Sequence, residues 1–188
     1  MFRQMRRFKQ QLDDTEAKAI LTNAKRGALS VMGDNDYPYG IPLNFYYNED
    51  DNAIYFHSAR SGHKLDAIDK HDKVCFTVWQ DKRVDEKDGW SWHVESVVVF
   101  GRAKRLKSAI EKVHALTADS DQTGFTEEET HPVGAEWERL KDRAGDFAKK
   151  YYPSEQEALA EVDSSDFDRM EFVKIEIEHM TGKRVHER

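Results

Sequence analysis

Apolar and polar residues alternate with a period of two in several short stretches of this chain. Between Tyr37 and Tyr47, the side chains of Tyr39, Ile41, Leu43 and Phe45 share one face, and Gly40, Pro42 and Asn44 share the other. The same alternation predicts short strands over residues 28–33, 53–57 and 73–80. Turn-forming residues separate these strands, which is typical of an antiparallel barrel or sandwich.

Two longer strands are predicted later in the chain. The first runs from about Trp90 to Leu106, and its centre, Val97–Phe100, is apolar on both faces. We therefore expect both faces of this strand to be covered. The second strand, Met170–His179, alternates apolar with charged residues and should be half exposed.

Helices are predicted around these strands. Asp13 and Glu16 have the spacing of a capping box, and Gly27 is expected to end the helix that they begin. A shorter helix is predicted from Leu65 to about His71. Residues 108–168 are predicted to form a helical acidic insertion. The fold class is therefore mainly β, with six strands and three or four peripheral helices in a single domain over residues 1–188.

Composition and charge exclude several classes of function. The formal net charge of −7 argues against general binding of nucleic acid. No stretch approaches the roughly 18–20 consecutive apolar residues of a membrane span, and no apolar run follows the basic N-terminus, so a cytoplasmic location is expected. The single cysteine, Cys75, excludes an internal disulfide and a cysteine-rich zinc site.

The segment His57–Leu65 carries the most chemical information. It joins a predicted strand to a predicted helix and contains Ser58, Arg60, Ser61, Gly62, His63 and Lys64. Unpaired N–H groups and the helix dipole favour an anion at a helix start, where Lys64 or Arg60 could also reach it. The alternative is a capped helix whose cations face solvent. The spacing of a nucleotide-binding P-loop is absent.

Other candidate residues have competing interpretations. His57 and His63 are six residues apart with no nearby ligand pattern, so no metal site is predicted, although a haem-ligating histidine is an alternative. Trp90 and Trp92 could form an aromatic wall over a ligand, or they could pack in the core or at a subunit interface.

Several motifs in order along the chain resemble those of a known family. They are Arg6-Arg7, Gly40–Phe45, Tyr55–Ala59, Gly62–Ile68, Val74–Phe76, Ser96–Ala103 and Thr181–Lys183. Together they resemble the nitroimidazole-resistance, nitroreductase-like branch of the pyridoxamine 5'-phosphate oxidase-like flavoproteins. The resemblance covers roughly residues 5–105 and 170–184.

This resemblance implies a six-stranded split β-barrel that binds FMN in a groove between the two subunits of a homodimer. By position, three residues would lie along the isoalloxazine ring: Pro42, Leu43 and Asn44. Ser96 corresponds to a position where the oxidases carry a polar side chain that faces the flavin.

The resemblance also implies where the phosphate end of FMN binds. His57 and Ser58 match the strand end near the ribityl chain and phosphate, and Ser61, His63 and Lys64 match the phosphate-binding loop. This location coincides with the anion site that the residues themselves suggest.

The implied activity is reduction of a small, electron-poor, nitroaromatic-like substrate with electrons from NAD(P)H. No residue is predicted to act as a catalytic acid or base. Two alternatives remain, namely a non-catalytic flavin- or haem-binding module and pyridoxamine 5'-phosphate oxidase activity. The second would use Arg184 and His186, but their spacing from Gly182 is too short and an upstream tryptophan is missing.

Overall fold

The protein is described here by a computed structural model. It describes residues 1–87, 89–106, 150–151, 154, 157 and 170–187. The predicted acidic insertion and its helices therefore lie outside the described residues, except at these four positions between 150 and 157.

Strands account for most of the described chain. They are β1 Gln11–Leu12, β2 Arg26–Met32, β3 Pro38–Asn44, β4 Tyr46–Asn48, β5 Ala53–Ala59, β6 Lys73–Glu86, β7 Gly89–Arg105 and β8 Met170–Glu187. The helices are α1 Asp14–Asn23 and α2 His63–Lys70, and single 3-10 turns occur at Phe8–Gln10 and Asp34–Asp36.

The strands form one antiparallel sheet that closes on itself. Their order is β3-β2-β6-β7-β8-β5-β4, and β1 adds a short pairing to β8. The two edge strands, β3 and β4, are parts of one strand interrupted only at Phe45. Counting them as one gives a six-stranded barrel, so the predicted fold class is confirmed.

Helix α1 begins as predicted but ends earlier. Asp13 accepts a hydrogen bond from the backbone N–H of Glu16 (2.8 Å), and the Asp13 N–H donates to the Glu16 carboxylate (3.3 Å), which completes the capping box. The helix ends at Asn23, so the prediction that Gly27 ends it was wrong. Gly27 lies in β2, where an added Cβ would come within 2.5 Å of the Phe76 ring.

Two other boundaries also differ from the predictions. Residues 81–89, which lie between the predicted strands 73–80 and Trp90–Leu106, continue β6 and β7 as a long hairpin from Asp81↔Val94 to Glu86↔Gly89. Strand β8 continues beyond His179 and pairs with β7 as far as Glu187. Both extensions are rich in polar residues and bury little apolar surface. They therefore show no clear alternation of apolar and polar positions in the sequence.

Only one face of β7 is covered within the described chain. Val97 and Val99 are fully buried in the core with Phe45, Phe56 and Phe76. On the opposite face Val98 is half-buried and Phe100 is 39% exposed. The expectation that both faces are covered is therefore not met by the described residues of one chain.

We expect Gly101→Ala to destabilise the barrel strongly. Gly101 lies at the β7–β8 register shift, where an added Cβ would come within 2.3 Å of the Glu176 carbonyl oxygen. Overpacking of this kind costs about 2 kcal/mol, measurable by urea denaturation. Gly40→Ala is the matched control because an added Cβ there meets nothing within 4 Å. Equal stabilities for the two variants would contradict the inference that a side chain cannot be accommodated at the β7–β8 register shift.

Candidate functional site

The candidate site lies where strands β3 and β5 separate. Strand β4 pairs with β5 only over Tyr46–Asn48, whereas β3, before Phe45, pairs with β2 instead. The strands diverge from this corner. Pro42–Asn44 on β3 and His57–Ala59 on β5 therefore lie on the two strands that diverge from this corner.

Helix α2 begins directly after β5 and leaves its first turn uncapped. Gly62 has φ +141°, a conformation that favours glycine, and its carbonyl accepts from the N–H groups of Leu65 (2.9 Å) and Asp66 (3.1 Å). No side chain caps this helix. The N–H groups of the first turn and the positive end of the helix dipole therefore favour an anion here.

Ser58 lies at the end of β5, just before this turn. It is only 6% exposed, and within the described part of the chain its hydroxyl forms no hydrogen bond. A hydroxyl at this position can donate a hydrogen bond to a ligand oxygen. Ser61, in the intervening loop, is exposed.

His63 packs on the neighbouring β2–β3 turn. Its ring stacks on Tyr39 with centroids 4.3 Å apart, and its Nε2 accepts from the N–H of Asp34 (3.3 Å). Lys70 at the other end of α2 also pairs with Asp34 (3.2 Å). His63 is thus held by structural contacts, and Lys64 is the better placed cation for an anion.

The positive charge of Lys64 acts on His57. Partial burial of the imidazole, and after it the positive charge of Lys64, lowers the pKa of His57 below its usual value. His57 is therefore neutral at pH 7 and does not add to the positive charge of the site.

We expect Lys64→Ala to raise the pKa of His57, because it removes the positive charge that disfavours imidazolium. The titration of the His57 ring followed by NMR measures this change. The stability contributed by neutral His57 is present above the usual histidine pKa of about 6.5 and is lost as pH falls through the lower folded-state pKa. An unchanged pKa in the variant would show that Lys64 does not face His57.

Arg105 anchors the loop before α2, a role that was not predicted from the sequence. Its guanidinium donates to the Arg60 carbonyl oxygen (3.4 Å) and contacts the carboxylates of Asp69 (2.9 Å) and Glu171 (3.2 Å). Arg105 therefore ties the loop, helix α2 and strand β8 together. Its contacts span more than 30 residues of sequence, so a local motif could not reveal them.

Of the residues predicted to contact the isoalloxazine ring, all but Leu43 have side chains on the outer face of the sheet. Pro42 and Asn44 are exposed there, whereas the Leu43 side chain packs against the core, so only its backbone can face outward. Ser96 is half-buried on β7, opposite Trp79 in the register. Strands β2 and β6 separate it from β3, so one chain does not bring Ser96 next to Pro42 and Asn44.

The same outer face carries large exposed aromatic side chains. Trp79 is 60% exposed, Trp90 48%, Phe100 39% and Trp92 38%. Trp90 and Trp92 contact edge-to-face at 6.4 Å on the hairpin, and Arg83 lies over the Trp90 ring. Near the other end of the face, Phe2 stacks on His179 and Phe100.

Arg184 is committed to a network on the opposite side of β8. It donates to the carboxylates of Glu95 (2.6 Å) and Glu16 (2.9 Å), and Gln80 also donates to Glu95 (2.7 Å). Burial alone would raise the pKa of Glu95, but these hydrogen bonds hold it below its usual value. His186 lies in strand β8 and packs on His93 with ring centroids 4.1 Å apart.

Among the described positions, no group of three or more His, Cys, Asp or Glu side chains is arranged to hold a metal ion. Within the same part of the chain, no helix has the length and hydrophobicity needed to cross a membrane.

Comparison with known proteins identifies the family. The pyridoxamine 5'-phosphate oxidase family model matches residues 13–141, which is more than half of the chain. The chain therefore belongs to this family, and the resemblance inferred from the motifs is confirmed. No curated protein matches the sequence.

Solved structures extend the comparison to the fold. A protein of Bacteroides thetaiotaomicron described as a candidate 5-nitroimidazole antibiotic resistance protein is 20% identical, with a TM-score of 0.63 over 94% of this chain and 87% of that one. A FAD-binding protein of Mesorhizobium loti is 21% identical, with a TM-score of 0.55 over 93% and 96%. A flavocytochrome of Azotobacter vinelandii is 17% identical, with a TM-score of 0.58 over 95% and 71%. At these identities the likeness concerns the fold alone.

Proposed function

We propose that the protein binds FMN as a homodimer and uses it to reduce a small, electron-poor, nitroaromatic-like substrate with electrons from NAD(P)H. The observation that carries the proposal is the uncapped start of α2, with Ser58 just before it and Lys64 in its first turn. The flavin-binding proteins among the structural neighbours support a flavin as the ligand.

The phosphate of FMN fits the start of α2. Its oxygens would accept hydrogen bonds from the first-turn N–H groups and from Ser58, and Lys64 would balance part of the negative charge. This local positive site is needed because the chain as a whole carries a net charge of −7. His57, whose pKa is lowered, would lie near the ribityl chain without adding to the positive charge of the site.

The isoalloxazine ring would lie along Pro42–Asn44. The backbone groups of this segment and the Asn44 amide could contact the ring edge, and Arg26 donates a hydrogen bond to Asn44 (3.3 Å) that orients this amide. Bound flavin supplies the hydride and electron chemistry. The residues of the chain position the ring and exclude water from one of its faces.

A second copy of the chain is the proposed cover for the outer sheet face. Trp79, Val98 and Phe100 expose apolar area on this face, and exposed apolar residues that share a face are typical of an interaction surface. The homodimer implied by the resemblance accounts for it. It would also make a groove from two sheets, to which Ser96 of one of them could contribute.

Pyridoxamine 5'-phosphate oxidase activity is less well supported. That alternative needs Arg184 to contact a substrate, yet its guanidinium is held by Glu95 and Glu16 beneath the sheet. Family membership alone does not define the reaction.

The proposed reaction is tested by adding NADH or NADPH, then a nitroaromatic compound, to FMN-loaded protein without oxygen. We expect the flavin absorbance to bleach with one of the nicotinamides and to recover with the nitro compound. A flavin that stays oxidised with both nicotinamides would exclude this reaction. A Soret band in the purified protein would favour a haem-binding module instead.

A further inference from the structure

We infer that Tyr151 is a positioning residue for the proposed flavin site, acting through the backbone corner at Phe45 and through Asn44. This inference rests on the proposed FMN site. Tyr151 lies beyond the residues that the family model matches, in a segment that the sequence alone left without a role.

The corner at Phe45 leaves backbone groups without strand partners. The register of β3 with β2 ends at Asn44, and that of β4 with β5 begins at Tyr46. Phe45 itself is fully buried, and its ring packs edge-on against Phe76 at 4.9 Å. Buried N–H and C=O groups at such a break need other partners.

The Tyr151 hydroxyl supplies those partners. It accepts from the Phe45 N–H (2.7 Å), and its own hydrogen faces the Lys25 carbonyl oxygen (2.9 Å) and the Phe45 carbonyl oxygen. Burial raises the pKa of Tyr151 to about 12, although its bond to Phe45 works in the opposite direction. The hydroxyl therefore keeps its proton and can donate and accept at once.

These contacts hold the two chain segments that position Asn44. Lys25 precedes Arg26, whose Nε donates to the Asn44 side-chain oxygen (3.3 Å), and Asn44 precedes Phe45. Tyr151 thus fixes the backbone next to each member of the Arg26–Asn44 pair, at the end of the β2–β3 register. Lys150 adds to the same corner, since its ammonium lies 4.4 Å from the centre of the Phe45 ring.

The first test compares Tyr151→Phe with the wild type in three measurements: FMN affinity, the reduction potential of bound FMN, and melting temperature. We expect the variant to bind FMN at least about tenfold more weakly, because a buried N–H loses its acceptor, and to shift the potential. Tyr47→Phe is the matched control, since Tyr47 is a buried tyrosine whose hydroxyl contacts Asn52 in the β4–β5 turn instead (3.3 Å). That control should lower the melting temperature without moving the potential.

A second variant tests the contribution of the Arg26–Asn44 hydrogen bond without changing the contacts of Tyr151 at Phe45. Arg26 is exposed, so Arg26→Met should fold normally and shift the potential in the same direction as Tyr151→Phe. In an Asn44→Ala background, Tyr151→Phe should no longer shift the potential, because coupled residues give non-additive effects.

The outcomes separate this inference from the proposed function. A wild-type protein that does not bind FMN would overturn the proposed function. FMN binding by the wild type, with the same affinity and potential in Tyr151→Phe or in Arg26→Met, would overturn the positioning role alone. An equal shift in Tyr47→Phe would likewise reduce Tyr151 to a general contribution to stability.

Discussion

Replacing Lys64 with alanine is expected to weaken FMN binding about 10- to 100-fold. A charge-assisted hydrogen bond contributes about 1.5–3 kcal/mol, which corresponds to this range. Lys64 is the cation beside the uncapped start of α2 and close enough to His57 to lower the pKa of that residue. Titration of flavin-free protein with FMN, followed by quenching of flavin fluorescence, measures the effect.

The matched control for Lys64→Ala is Lys70→Ala. Lys70 lies on the same helix at its C-terminal end, is 62% exposed and pairs with Asp34. Its removal changes the net charge equally but leaves the start of α2 intact. Comparable losses of affinity in both variants would indicate a general effect of charge. Undiminished flavin occupancy in Lys64→Ala would refute the phosphate assignment.

Trp79→Asp is expected to convert the proposed homodimer into monomers and to reduce FMN binding with it. Trp79 is the most exposed tryptophan on the outer sheet face, and a buried interface tryptophan contributes 2 kcal/mol or more. The dimer dissociation constant should therefore rise at least about 30-fold. Sedimentation velocity over a concentration series measures this change.

Phe8→Asp serves as its control. Phe8 is 69% exposed in the first 3-10 turn, outside the outer face of the sheet. This variant should remain as dimeric as the wild type. A wild-type protein that sediments as a monomer at all concentrations would contradict the proposed interface. Equal dissociation of both variants would show that added charge, rather than position, is responsible.

Local signals made much of the fold predictable. The capping box of Asp13 and Glu16 involves residues three apart, and the alternation in β3 needs only its own residues. The end of α1 was mispredicted because Gly27 does not end a helix. It lies in β2, where the Phe76 ring, almost 50 residues away in sequence, leaves no room for a side chain. The extended hairpin was missed because an exposed two-stranded ribbon has no buried face to produce a pattern.

The candidate site shows the same division between local and distant determinants. Ser58, Gly62 and Lys64 could be proposed from sequence, since the chemistry of an anion site at a helix start is contained in seven residues. Arg105 and Tyr151 reach this region from distant segments, and their contacts follow from the closure of the barrel. A single sequence holds no local sign of either.

The most direct test of a flavin site at α2 is the absorption spectrum of the purified protein, followed by FMN titration if it is colourless. We predict bound flavin, released on denaturation as FMN, or saturable one-to-one binding of FMN per chain. Release of FAD would retain a flavin site but contradict FMN as the cofactor. Neither bound flavin nor saturable FMN binding by folded protein would contradict the central claim.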